Sequence, residues 1–182
     1  VKYWLDLSDI QHHELNISIQ FEAVPEGPFT LRMPISSPGR YAEHNFAKNV
    51  YDVRAYDGAN NSAQVVKTGP SEWQVTGHDG KVDFRYTLFG NRADGSYTGI
   101  DNRKVHMNMP ATFIYGLGME HRRIELEIDL TDHPDWKVAT QLEKIDDRTF
   151  RAPNYYYFYD SPTIVGDIDF RSWPSSSNGQ DY

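Results

Sequence analysis

The chain has 182 residues, 38% apolar and 14% aromatic, enough core-forming material to exclude a disordered segment. Its 18 Lys and Arg stand against 26 Asp and Glu, a net charge of −8 with no basic cluster, which argues against nucleic acid as a partner. Cysteine is absent, which removes disulfides, Cys-ligated zinc and thiol catalysis, and no apolar run reaches the ~18 residues of a membrane span.

Residues 2–7 read as a first short strand. Residues 13–21 follow with period two: Leu15, Ile17, Ile19 and Phe21 share one face, and Glu14, Asn16, Ser18 and Gln20 the other. A strand at 29–33 leads into Ser37-Pro38-Gly39, after which Arg40 to Asn49 is the only helical candidate, about two turns long. Strands are predicted at 51–56, 64–67 and 72–76, separated by turn chemistry such as Asp57-Gly58 and Asp79-Gly80. Residues 81–88 repeat the clean alternation with Val82, Phe84, Tyr86 and Leu88.

Beyond the Asp94-Gly95 turn, strands are predicted at 105–109 and 111–115, with Gly116-Leu117-Gly118 as a turn. Ile124, Leu126, Ile128 and Leu130 mark a third alternating strand at 123–130. Weaker strands are expected at 136–140, 149–152 and 164–170. The run Tyr155-Tyr156-Tyr157-Phe158-Tyr159 reads as a further strand with rings on both faces, either a core strand or a stacking platform for a sugar or peptide. Together these predict an all-β fold, mainly an antiparallel β-sandwich over 1–171, with one short helix near 40–49. The polar tail at 172–182 reads as a loop or linker toward a further domain.

Motifs of catalysis are missing from the chain. His12-His13-Glu14 resembles the start of a metallopeptidase helix, but the position four past His13 is Ile17 and the segment alternates as a strand. Gly118-Met119-Glu120 is similar to a loop with which one family of zinc aminopeptidases holds a substrate amine, but His121 stands where an Asn is needed, and a turn fits better. The Asp146-Asp147 and Asp167/Asp169 pairs offer too few ligands for calcium. No Gly-x-Ser-x-Gly elbow or phosphate loop occurs, and no catalytic or metal-ligating residue is assigned.

Two stretches do carry a signature. One is Met33-Pro34-Ile35-Ser36-Ser37-Pro38-Gly39-Arg40-Tyr41, continuing through Phe46-Ala47-Lys48-Asn49-Val50 to Asp57-Gly58. The other joins Trp136-Lys137-Val138-Ala139-Thr140 to Thr149-Phe150-Arg151-Ala152-Pro153, Tyr157, Asp160-Ser161-Pro162 and Gly166-Asp167. In order and spacing they resemble the N-terminal domain of the glycyl aminopeptidase family of zinc metallopeptidases. Where that family commonly has a basic-acidic pair, His44-Asn45 stands here.

The resemblance implies a non-catalytic front domain. Zinc is expected only in a following thermolysin-like domain, often joined by a PDZ domain, and no cofactor is expected in this chain. The expected partners are that catalytic domain, within the same polypeptide, and the parent's peptide substrate. Tyr41, Asn45 and Asn108 lie in the segments nearest the signature and are expected to face the substrate cleft. The competing reading is a free-standing sugar- or peptide-binding module that uses the Tyr155–Tyr159 run.

Overall fold

A computed structural model describes residues 1–92 and 94–172. The sequence's alternating segments become the middle of one large sheet: β1 (Lys2–Asp6), β2 (Glu14–Phe21), β7 (Val82–Phe89) and β11 (Ile124–Asp129). Between β2 and β7 come β3 (Phe29–Arg32), β4 (Val50–Tyr56), β5 (Ser62–Gly69) and β6 (Glu72–Thr76). Short strands follow: β8 (Gly99–Ile100), β9 (Lys104–Met107), β10 (Tyr115–Gly116), β12 (Lys137–Ala139), β13 (Glu143–Lys144), β14 (Thr149–Ala152) and β15 (Thr163–Gly166). Eleven strands form one sheet in the order β10-β3-β6-β5-β4-β7-β2-β1-β11-β14-β13, and β12-β15-β9-β8 form a second.

Register explains the core. Ile17 faces Leu5 on one side and Tyr86 on the other, and Ile19 faces Tyr3 and Phe84, so the apolar sets of three strands fall on one side of the sheet. The large sheet then turns over on itself where β4 meets β5. There the pairing rests on Ala55 opposite Ala63 and Tyr56 opposite Ser62, two small buried residues at the crease. The β3–β6 limb consequently lies over β2 and β7: Phe29 meets Phe21 with ring centroids 5.1 Å apart, and Trp73 meets Phe84 at 6.3 Å. The two layers predicted from sequence are therefore limbs of one continuous sheet. Among the described residues all strand pairings are antiparallel but one, since β1 runs parallel to β11.

Three local predictions are corrected. The helix expected over Arg40 to Asn49 shrinks to a 3-10 turn at Phe46–Asn49, because only Phe46 and Ala47 have a core to bury against. Residues 111–115 are not one strand: the end of α1 (Met109–Thr112) takes the first two, with Pro110 in the first helical turn, and only Tyr115 joins β10.

The aromatic run is likewise a helix, α2 (Tyr155–Tyr159). Asn154 caps it, its side-chain oxygen accepting from the Tyr157 amide at 2.9 Å. Helical spacing buries Tyr155 and Phe158 together and leaves Tyr156 and Tyr157 outside, so the run does not form the flat platform a strand would have offered. Apart from Ser172, the predicted polar tail lies outside the described residues.

Candidate functional site

The loop between β3 and the 3-10 turn carries the first signature stretch, and hydrogen bonds hold it at several points. It leaves β3 with the Met33 amide bonded to the Ser71 carbonyl (2.9 Å), and its neck is closed by the His44 amide on the Ile35 carbonyl (2.6 Å). Gly39 takes a left-handed φ of 73° in the turn where the Arg40 amide reaches the Ser37 carbonyl. From α2, the Tyr159 hydroxyl donates to the Ser36 carbonyl at 2.7 Å.

Asn108 is the innermost anchor. Ser37 Oγ donates to its Oδ1 (3.1 Å), its Nδ2 donates to the Ser96 carbonyl (2.5 Å), and its own carbonyl receives the Ala111 amide and Thr112 hydroxyl (2.9 Å each). It is buried, and its amide is engaged on both sides. Tyr41, by contrast, is wholly exposed, and Asn45 is exposed with its side chain making no cap to the turn that follows. Of the three expected site residues, two therefore stand on the outer surface of the loop and one ties the loop down from within.

Tyr97 and Arg92, which the sequence reading did not single out, complete the cluster with residues of the signature stretch. The His44 ring stacks on Phe46 (centroids 5.0 Å, 13° between planes), and both meet Tyr97 edge-on at 5.7 and 5.0 Å. The Arg92 guanidinium sits 4.5 Å from the Tyr97 centroid and the Lys48 ammonium 5.1 Å, both within cation–π range. Arg92 also pairs with Asp94 at 2.6 Å. Burial works against the charge on Asp94, but the Ser96 and Tyr97 amides and Arg92 outweigh it and hold its carboxyl below the usual range. The signal available in the sequence was Asp94-Gly95, which marks a turn without showing which loop it meets.

Elsewhere, the tempting motifs have structural roles. His13 adopts a left-handed φ of 60° at the end of a 3-10 turn, and its Nδ1 lies 2.5 Å from the Ile100 carbonyl. Gly118 turns with φ 82°, and the Glu120 carbonyl receives the Tyr155 amide at 2.8 Å. Among the described residues no three His, Asp or Glu side chains converge on a point where a metal ion could sit.

Residues 2–167 match the family model described as the peptidase M61 N-terminal domain. No curated protein matches the chain. Among solved structures, it is similar to an aminopeptidase N family protein from Idiomarina loihiensis at 22% identity and a TM-score of 0.89, covering 97% of this chain and 31% of that one, a likeness of fold. A yeast LTA4 hydrolase solved with bestatin aligns at 12% identity and a TM-score of 0.47, covering 96% of this chain and 29% of that one. The chain thus spans about a third of the length of the solved proteins it aligns with.

Proposed function

This chain belongs to the peptidase M61 N-terminal domain family, and from that premise we propose that it is the non-catalytic front domain of a zinc aminopeptidase. In this reading it packs on the catalytic domain of the same polypeptide and bounds the end of the cleft that receives a peptide's free N-terminus. The supporting observation is the loop at 34–45. It is fastened by Asn108, Tyr159 and Ser71 yet presents Tyr41 wholly exposed and Asn45 beside the turn. A fixed backbone carrying an outward aromatic side chain suits a wall that must hold its shape, because preorganised groups lose little freedom when a partner docks.

The division of labour follows from placement. Tyr41 and Asn45 are the side chains that reach the cleft or the catalytic domain, while Asn108 positions them from behind. When bound in the catalytic domain, zinc supplies Lewis-acid polarisation of the scissile carbonyl. The described residues of this domain offer no donor set for such an ion, and their contribution is shape and contact.

The test uses the complete protein. Translation of the gene past Tyr182 should reveal His-Glu-x-x-His within about a domain's length, roughly 100–200 residues. Tyr41→Ala and Asn45→Ala should each lower kcat/KM for short peptides with a free amine without changing the melting temperature. Unchanged kinetics in both variants would remove Tyr41 and Asn45 from the cleft. Absence of the zinc helix would sink the aminopeptidase reading.

A further inference from the structure

The large sheet has a second face, on the side away from the packed limbs, and it is not featureless. Across β11, β1, β2, β7 and β4 the register aligns Glu127, Trp4, Ser18, Arg85 and Arg54 in one cross-strand row. The next row sets Lys2, Gln20, Asp83 and Tyr56 side by side. These rows floor a shallow concavity of about 640 Å³. Trp4 lies within it with over a third of its surface exposed.

Several of its polar side chains are already fixed. Asp83 accepts from Ser18 Oγ (2.8 Å) and from Arg85 through both Nε (3.1 Å) and Nη2 (2.6 Å), which lays the guanidinium 4.7 Å from the Tyr56 ring centroid. Lys2 is held by Glu127 at 2.8 Å. At the rim, the register of β4 shifts between Tyr51 and Arg54, and Asp52 there takes a left-handed φ of 50°. A bulge of this kind re-aims a side chain that a regular strand would point elsewhere.

The charges nearly cancel, with Lys2, Arg54 and Arg85 against Asp6, Asp52, Asp83 and Glu127. A polyanion therefore finds no net attraction. An extended peptide finds no free main-chain partner either, because β1, β2 and β7 are interior strands whose backbone groups are shared with neighbours on both sides, and strand addition needs an edge. A second protein surface would want an apolar centre, and here the centre is hydrogen-bonding side chains around one indole. What remains is a ligand that is uncharged, bears hydrogen-bonding groups around its whole perimeter and has an apolar face for Trp4.

We propose that this concave face binds an uncharged oligosaccharide, stacked on Trp4 and hydrogen-bonded through Gln20, Arg85 and Asp52. The site lies on the opposite side of the sheet from the core and is independent of the front-domain reading.

The test is calorimetric titration of the complete protein with three classes of probe: neutral glucose-, xylose- and N-acetylglucosamine-based hexasaccharides, a heparin-derived hexasaccharide, and hexaalanine. At least one neutral sugar should bind saturably, and Trp4→Ala should weaken it roughly tenfold. Trp4→Phe, which keeps a ring and so guards against misfolding, should retain part of the affinity, and Tyr156→Ala should retain all of it. The proposal is overturned if no neutral sugar saturates by about 10 mM, if only heparin or hexaalanine binds, or if Trp4→Ala and Trp4→Phe bind as the parent does.

Discussion

Ser37 and Asn108, 71 positions apart, share a buried hydrogen bond of 3.1 Å, and through it the signature loop is joined to the start of α1. Because Asn108 also donates to the Ser96 carbonyl, one amide fastens two loops. Asn108→Ala leaves a buried hydroxyl and a carbonyl without partners, a loss of about 1–3 kcal/mol in denaturant unfolding. Amide exchange should quicken at 34–45 and stay slow in β7. Ser37→Ala should cost less, since Asn108 keeps its bond to Ser96.

The helical winding of the aromatic run makes adjacent rings unequal. Phe158 is fully buried, stacked 5.0 Å from Tyr3 and tilted 5.1 Å from Phe113. Phe158→Ala should therefore cost about 3–5 kcal/mol. Tyr156→Ala, which loses only an exposed ring beside His121, should stay within about 0.5 kcal/mol. Equal losses from the two variants in thermal unfolding would contradict the helix.

Alkali should unfold this domain through its interior. Burial pushes the phenols of Tyr3, Tyr86 and Tyr155 upward from their ordinary value. Unfolded tyrosines ionise near pH ~10, so above that the unfolded chain sheds protons that the folded one retains. The stability these residues supply is complete below about pH 10 and declines as pH rises toward the folded values. Tyrosinate absorbance from these three should appear only together with loss of the β signal in circular dichroism.

Gly116 admits no side chain. A methyl group there would run into the Phe29 ring and come within 3.0 Å of Phe21. Because those two rings hold the limbs of the sheet together, they have little room to yield. Gly116→Ala should cost about 1–3 kcal/mol, while Gly118→Ala, with open space around it but φ at 82°, should cost about 1 kcal/mol through backbone strain alone.

Period two made β2, β7 and β11 readable, because Leu15, Phe84 and Leu126 stand on strands with one wet and one dry face. The same habit misread Tyr155–Tyr159: aromatic residues favour strands, and the Asn154 cap that fixes the helix is a single residue. Met109-Pro110 gave the corresponding hint for α1. Pairings between distant segments were beyond local pattern altogether. Nothing near Ser37 names Asn108, and nothing near Tyr97 names Lys48, although both pairs belong to the same loop cluster. The concave face was hidden for a related reason. Its rows run across strands, so Trp4, Ser18 and Arg85 are neighbours only once the register is known.

The parallel pairing of β1 with β11 also governs when the fold can be finished. Lys2 lies opposite Glu125, so one edge of the first strand stays open until more than a hundred further residues have been made. A ribosome adding about 5–20 residues per second would leave that edge bare for roughly 6–25 seconds. During that interval Trp4 and Leu5 sit on a strand with one open edge, of the kind that seeds aggregation. Lys2 on this strand is a charged deterrent to mispairing, and it becomes a salt-bridge partner of Glu125 and Glu127 only when β11 arrives.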